Sequence, residues 1–159
     1  VTRRYAADTS VPMDRSIAEI WTTVRRYGAT EFAHMEREAE AAIGFTMRGR
    51  RILFRLAMPN PKDRAFTHTQ TKRQPRSAAG AHEAWEQACR SRWRALALAI
   101  KAKLEAVEIG IVTFEDEFLA STIPPGSSIT FGEMVREDMR LSHERGELKP
   151  LLPYLGPST

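Results

Sequence analysis

The stretch Ile43–Met58, IGFTMRGRRILFRLAM, decides the fold. Ile43, Phe45 and Met47 alternate with smaller or polar residues, and after Arg48-Gly49-Arg50 the alternation resumes as Ile52, Phe54, Leu56 and Met58. Successive strand side chains point to opposite faces, so a period of two predicts two antiparallel strands with one face on a core. Gly49 takes positive φ without a Cβ clash, which suits a tight hairpin turn. Arg51 and Arg55 fall on the face away from the core. Pro59 and Pro61, lacking an N–H for the ladder, end the second strand.

Working outward, Glu31–Glu36 with Phe32 inward reads as a further strand and the charged Arg37–Glu40 as a turn, which completes a three-stranded meander. Upstream, Ser16 and Glu19 have the spacing of a capping box, and Ile17, Ile20, Trp21 and Val24 recur at helical intervals until Gly28. Downstream, Ser77 is placed to cap a helix reaching about Ile109, roughly 45 Å long at 1.5 Å per residue. Its apolar stripe is Trp85, Cys89, Trp93, Leu96, Ile100, Leu104 and Val107. Gly110 breaks it. Thr113 with Asp116 opens a short helix through Ala120, Ile123-Pro124-Pro125-Gly126 is a turn before a short extended piece at Ser127–Ile129, and Thr130 with Glu133 caps a helix to about His143.

The expected class is therefore α+β: an N-terminal helix, a three-stranded antiparallel meander, a long helix packed on the sheet, and short C-terminal helices. Residues 1–15 read as an extended lead-in, since Pro12 biases Val11 against helix, and 16–145 as a single domain. In the tail 146–159, Leu148, Leu151, Leu152, Tyr154 and Leu155 stand among prolines, a pattern suited to extended docking. A chain of 159 residues needs no staple, and the single cysteine, Cys89, excludes an internal disulfide framework. With no apolar h-region near its start and no apolar run near 20 residues, the chain is expected to be cytoplasmic and not inserted in a membrane.

Charge carries the functional reading. Residues 48–76 hold nine Lys/Arg against the single acid Asp63, whereas the whole chain has a net charge of only +4. The third of the chain from Glu105 to Glu147 is acidic. Such bipolarity has two explanations: the basic middle binds a polyanion, or the two parts satisfy each other within one chain or between copies. Residues 59–79 form a long basic loop expected to order only on contact, with Lys62, Arg64, Lys72, Arg73 and Arg76 for phosphates and Phe66 for stacking on a base. Arg48, Arg50, Arg51 and Arg55 extend this surface on the strand, and Arg90 and Arg94 on the long helix.

No catalytic motif, Gly-rich phosphate loop or Cys/His set at ligand spacing is present, so no catalytic residue, metal ligand or cofactor is assigned. The acids Glu105, Glu108, Glu115, Asp116 and Glu117 suggest a Mg²⁺-dependent nuclease only as the weakest alternative, because an acidic helix start is ordinarily a solvated, dipole-compatible face.

The run WEQACRSRWRALALAIKAKLEAVEIGIVTFEDEFLA at residues 85–120, with RRYGA at 25–29 and RGRRILFRL at 48–56, resembles a family of small bacteriophage and prophage proteins of no settled activity. That resemblance implies a phage setting, in the host cell cytoplasm, and carries no functional residue with it. The element order is similar to that of double-stranded-RNA-binding domains, although the loop before the second helix is too long and that helix lacks their lysine-rich start. It also looks like the β-β-β-α core of single-strand annealing proteins, which assemble as rings or filaments. The expectation is a non-enzymatic single-stranded DNA-binding or annealing protein that forms a homo-oligomer. The alternative is an interaction protein that binds and inhibits a host protein.

Overall fold

The computed structural model describes residues 9–37, 39–71 and 73–147. The elements in order are helix α1 (Met13–Arg26), strands β1 (Glu31–Arg37), β2 (Glu40–Met47) and β3 (Arg50–Ala57), and the short helix α2 (Arg64–Thr67). There follow the long helix α3 (Ala78–Glu108), α4 (Phe114–Phe118), a 3-10 turn at Leu119–Ser121, strand β4 (Thr122–Ile123) and helix α5 (Phe131–Arg145). The sheet is antiparallel throughout, in the order β1-β2-β3-β4. This is the expected α+β arrangement with one strand more, because Thr122 and Ile123 pair with Ile52 and Arg51 on the outer edge of β3. Two residues between a helix and a proline pair are too few to register as an alternating pattern.

Met47 pairs with Arg50, so the hairpin turn is the two residues Arg48 and Gly49, with φ of 51° and 72°. Positive φ at both positions is the primed turn whose twist matches that of the flanking strands. Arg48 is strained there, and its guanidinium lies 5.1 Å from the Phe114 ring centroid, a cation-π contact that offsets part of the cost.

The register places Ala41, Ile43, Phe45 and Met47 of β2 and Ile52, Phe54 and Leu56 of β3 on one face. Against it lie Ile20 and Val24 of α1 and Trp93, Ala97, Ile100 and Leu104 of α3. Phe118 of α4 closes the side near β3, edge-on to Phe45 and Phe54 at 6.4 and 6.3 Å. Both helix stops use glycine as expected. Gly28 and Gly110 have φ of 95° and 79°, and the amides after them reach back to Val24 and Ala106 in Schellman geometry.

The N-terminal capping box is a correction. α1 begins at Met13 with Pro12 at the cap, and Ser16 lies fully buried within the helix, facing the core in place of capping it. Proline suits an entry that needs no amide hydrogen, and it moved the start one turn upstream. The other caps form as read: Ser77 accepts from the Gly80 amide, Thr113 from Asp116, and Thr130 and Glu133 make a reciprocal box. The expected docking of the tail falls on 148–159, outside the described residues, as do residues 1–8 of the lead-in.

α5 is brought against the 3-10 turn by Gly132, where an added Cβ would meet the Ala120 carbonyl oxygen at 2.7 Å. Gly132→Ala gains about 1 kcal/mol of helix propensity and is expected nonetheless to destabilise the fold by about 1–3 kcal/mol, through overpacking against backbone. Urea unfolding measures the balance, and a stabilised variant would contradict this packing.

Candidate nucleic-acid interface

The hairpin arginines divide between the two faces of the sheet, and the acidic C-terminal third reaches both. On the helix-covered side, Arg50 pairs with Glu115 of α4 at 3.2 Å, and Arg48 stacks on Phe114. On the opposite face, Arg51 donates to the Ser127 carbonyl at 2.9 Å. Arg55 donates from Nε to Glu133 at 2.7 Å and from Nη1 to Glu40 at 2.9 Å. Hydrogen bonding to Glu40, then to Glu133, raises the Arg55 pKa above its ordinary value. Glu133 is lowered, chiefly by the Thr130 backbone amide, then by the Thr130 hydroxyl and Arg55.

Arg55 and Glu133 keep 37% and 21% of their side-chain surface exposed. An ion pair so exposed is worth only about 0–1 kcal/mol. It nevertheless decides where the guanidinium is spent, since a phosphate approaching Arg55 meets two carboxylates first. The same holds on α3, where Arg94 pairs with Glu19 and Arg90 with Glu86 and Gln87. The strand and helix arginines expected to serve phosphates are thus drawn into contacts within the chain.

The segment after β3 is different. The expected unstructured loop contains α2 and a small hairpin: His68 bridges Pro75, the Thr69 amide donates to the Gln74 carbonyl at 2.8 Å, and the Arg76 amide to the Thr67 carbonyl at 2.8 Å. Asn60, Thr67 and Thr69 side chains satisfy backbone groups or cap turns, which is why a Pro/Thr/Gln-rich composition gives order here. Trp85 Nε1 of α3 anchors it by donating to the Pro59 carbonyl at 2.7 Å.

Lys62, Arg64 and Arg73 on this segment have no carboxylate in ion-pair range among the described residues. Arg76 is held by the His68 carbonyl and keeps its charge uncompensated in the same sense. Lys72 falls outside the described residues. Arg92, left out of the sequence-based set, joins this group: its guanidinium donates to the Ala57 carbonyl at the end of β3. That partner is visible only in the fold. Phe66 is half-buried on α2, and the imidazole of His82, 64% exposed, lies 5.5 Å from the Trp85 ring.

The acidic cluster is employed differently. Glu117 pairs with Lys103 at 2.6 Å, Glu115 with Arg50, and Asp116 accepts from the Thr113 hydroxyl at 2.7 Å. Among the described residues no three carboxylate, imidazole or thiolate groups converge on a metal position. Cys89 is buried in the core, and burial pushes its thiol pKa up, away from nucleophilic character. Among the described residues no helix is long and apolar enough to cross a membrane. No family model, curated protein or solved structure matches the chain.

Glu133 gives a pH signature. An unfolded carboxyl titrates near 4.5, and the folded one below that, so its contribution is present above about pH 4.5 and lost as pH falls through the lower folded value. Glu133→Gln is expected to flatten this acid limb in a series of urea midpoints against pH. A limb left unchanged would mean that Arg55 and Thr130 do not hold the carboxylate.

Proposed function

We propose that this protein binds single-stranded nucleic acid, with single-stranded DNA favoured, through the folded segment 59–77 and the adjoining start of α3. The observation that carries the reading is the contrast in charge compensation. Arg50, Arg55, Arg90 and Arg94 have carboxylate partners, whereas Lys62, Arg64 and Arg73 have none among the described residues. Cations kept uncompensated on one small segment are what a polyanion needs, because each phosphate contact releases counterions. Phe66, on α2 with Arg64, adds ring surface to the segment, which suits unpaired bases, whose faces are accessible, better than a closed duplex; His82 is exposed but pairs with Glu86 at 3.3 Å. A non-enzymatic role in a phage-type cytoplasmic setting, annealing among the options, is consistent with this surface and with the resemblance noted from the sequence.

The site is narrower than the sequence reading. Arg51 and Arg55 support the fold at the β3–α5 contact, and the phosphate contacts are assigned to Lys62, Arg64, Arg73 and Arg76, with Arg92 beside them.

Fluorescence anisotropy with a labelled oligonucleotide across a salt series tests the assignment. Each of Arg64→Ala and Arg73→Ala is expected to weaken binding several-fold and to reduce the log-log salt slope by about 0.7, the contribution of one single-strand phosphate. Arg55→Gln is expected to leave that slope unchanged. Absence of binding to any single-stranded oligonucleotide at low salt refutes the proposal, and a slope that responds to Arg55 and not to Arg64 or Arg73 returns the site to the sheet face.

A further inference from the structure

β1 is the edge of the sheet, and among the described residues nothing pairs with its outer side. It runs seven residues, Glu31–Arg37, in unbroken register with β2, with no proline and no bulge. Every residue of it except Phe32 is exposed, Met35 by 38%. The opposite edge, by contrast, has β4 laid along part of β3. A regular strand presenting a row of free N–H and C=O groups is a template for a further strand; neither a proline nor a bulge blocks this one, and its charged side chains Glu31, Glu36 and Arg37 restrict which strand it accepts.

The side chains specify which strand fits. Glu31, Ala33, Met35 and Arg37 share the face away from the helices, while Phe32, His34 and Glu36 share the other, as their partners on β2 require. Set antiparallel to itself about His34, β1 overlaps over its whole length and opposes Glu31 to Arg37 of the second copy, twice. Ala33 then opposes Met35, and both members of each pair lie on one face, so the two helical layers fall on the same side of a continuous sheet. Glu31 accepts only the Thr46 hydroxyl at 2.7 Å, and Arg37 has no carboxylate partner among the described residues, so both are free to form these pairs. Opposite charges directly across an antiparallel pair favour it, and like charges there oppose it. On the helical side, half-buried Trp21 lies 5.0 Å from the Phe32 ring and adds apolar surface beside the strand.

We propose that β1 is a self-association edge, and that two copies join through it, antiparallel and centred on His34, into one eight-stranded sheet. This inference is independent of nucleic-acid binding: the edge contains none of the residues assigned to phosphates. Its consequence is a particle with two basic segments, in which a strand engaged by one gains a second contact at raised effective concentration.

Sedimentation equilibrium on the full chain tests the association, with twice 18.0 kDa expected at high concentration. Glu31→Arg alone and Arg37→Glu alone are each expected to raise the dimer dissociation constant at least tenfold, and the double swap to restore it to within about threefold, since the exchanged charges complement again. Circular dichroism confirms that each variant is folded. His34→Cys, at the centre of the register, is expected to cross-link two copies under mild oxidation, whereas Ala33→Cys, on the opposite face and facing Met35, does not. A wild-type chain monomeric at all concentrations, a dimer indifferent to the single charge reversals, or cross-linking through Ala33→Cys in place of His34→Cys each overturns the proposal.

Discussion

The apolar face shared by β2 and β3 must be covered, and the stripe of α3 from Cys89 to Leu104 is what covers it. Trp93, Ile100 and Leu104 are essentially inaccessible, as are Ile43, Met47 and Ile52 across from them. Burying side chains of this size stabilises by about 1.5–3 kcal/mol each, well beyond any surface ion pair in the molecule. Other features follow from that contact. α1 completes the layer beside α3, and α4 inserts Phe114 and Phe118 where α3 leaves β3 uncovered. Because α3 has 31 residues, its first turns lie ahead of the buried stripe, and the segment after β3 packs on them through α2 and the Trp85 to Pro59 bond.

The charges are arranged on this frame and do not build it. After α4 the chain crosses the edge of β3 as β4 and places the start of α5 on the far face, which brings Glu133 to Arg55 and the Ser127 carbonyl to Arg51. The basic middle and the acidic third of the sequence thus satisfy each other in part within one chain. The part left over is what makes segment 59–77 a candidate site: its only acid, Asp63, pairs with no cation among the described residues, and side-chain-to-backbone bonds order the segment. If it binds as proposed, a segment ordered in advance loses less conformational entropy on contact than a flexible one.

Among the described residues, the same topology leaves the outer side of β1 unpaired. A meander has two edges, and among the described residues only β3 receives a later strand, since the chain after α3 returns on that side. The regularity of β1 and the placement of Glu31 and Arg37 at its ends then make the strand complementary to itself.

What the sequence determined by itself were the features set locally. Alternation from Ile43 to Met58 specified the hairpin; hydroxyl caps at Ser77, Thr113 and Thr130 and glycine stops at Gly28 and Gly110 specified helix bounds, because these depend on neighbours within about one turn. Ser16 misled for a local reason also, since Pro12 offered a competing start and the core claimed the hydroxyl's position. The tertiary structure alone decided which arginines are free. Arg55 and Glu133 are 78 residues apart and Arg51 and Ser127 are 76 apart, and no pattern in the sequence distinguishes Arg55 from Arg64. A charge is a long-range property whose partner depends on where the chain returns, whereas a cap or an alternating strand is satisfied by its own neighbourhood.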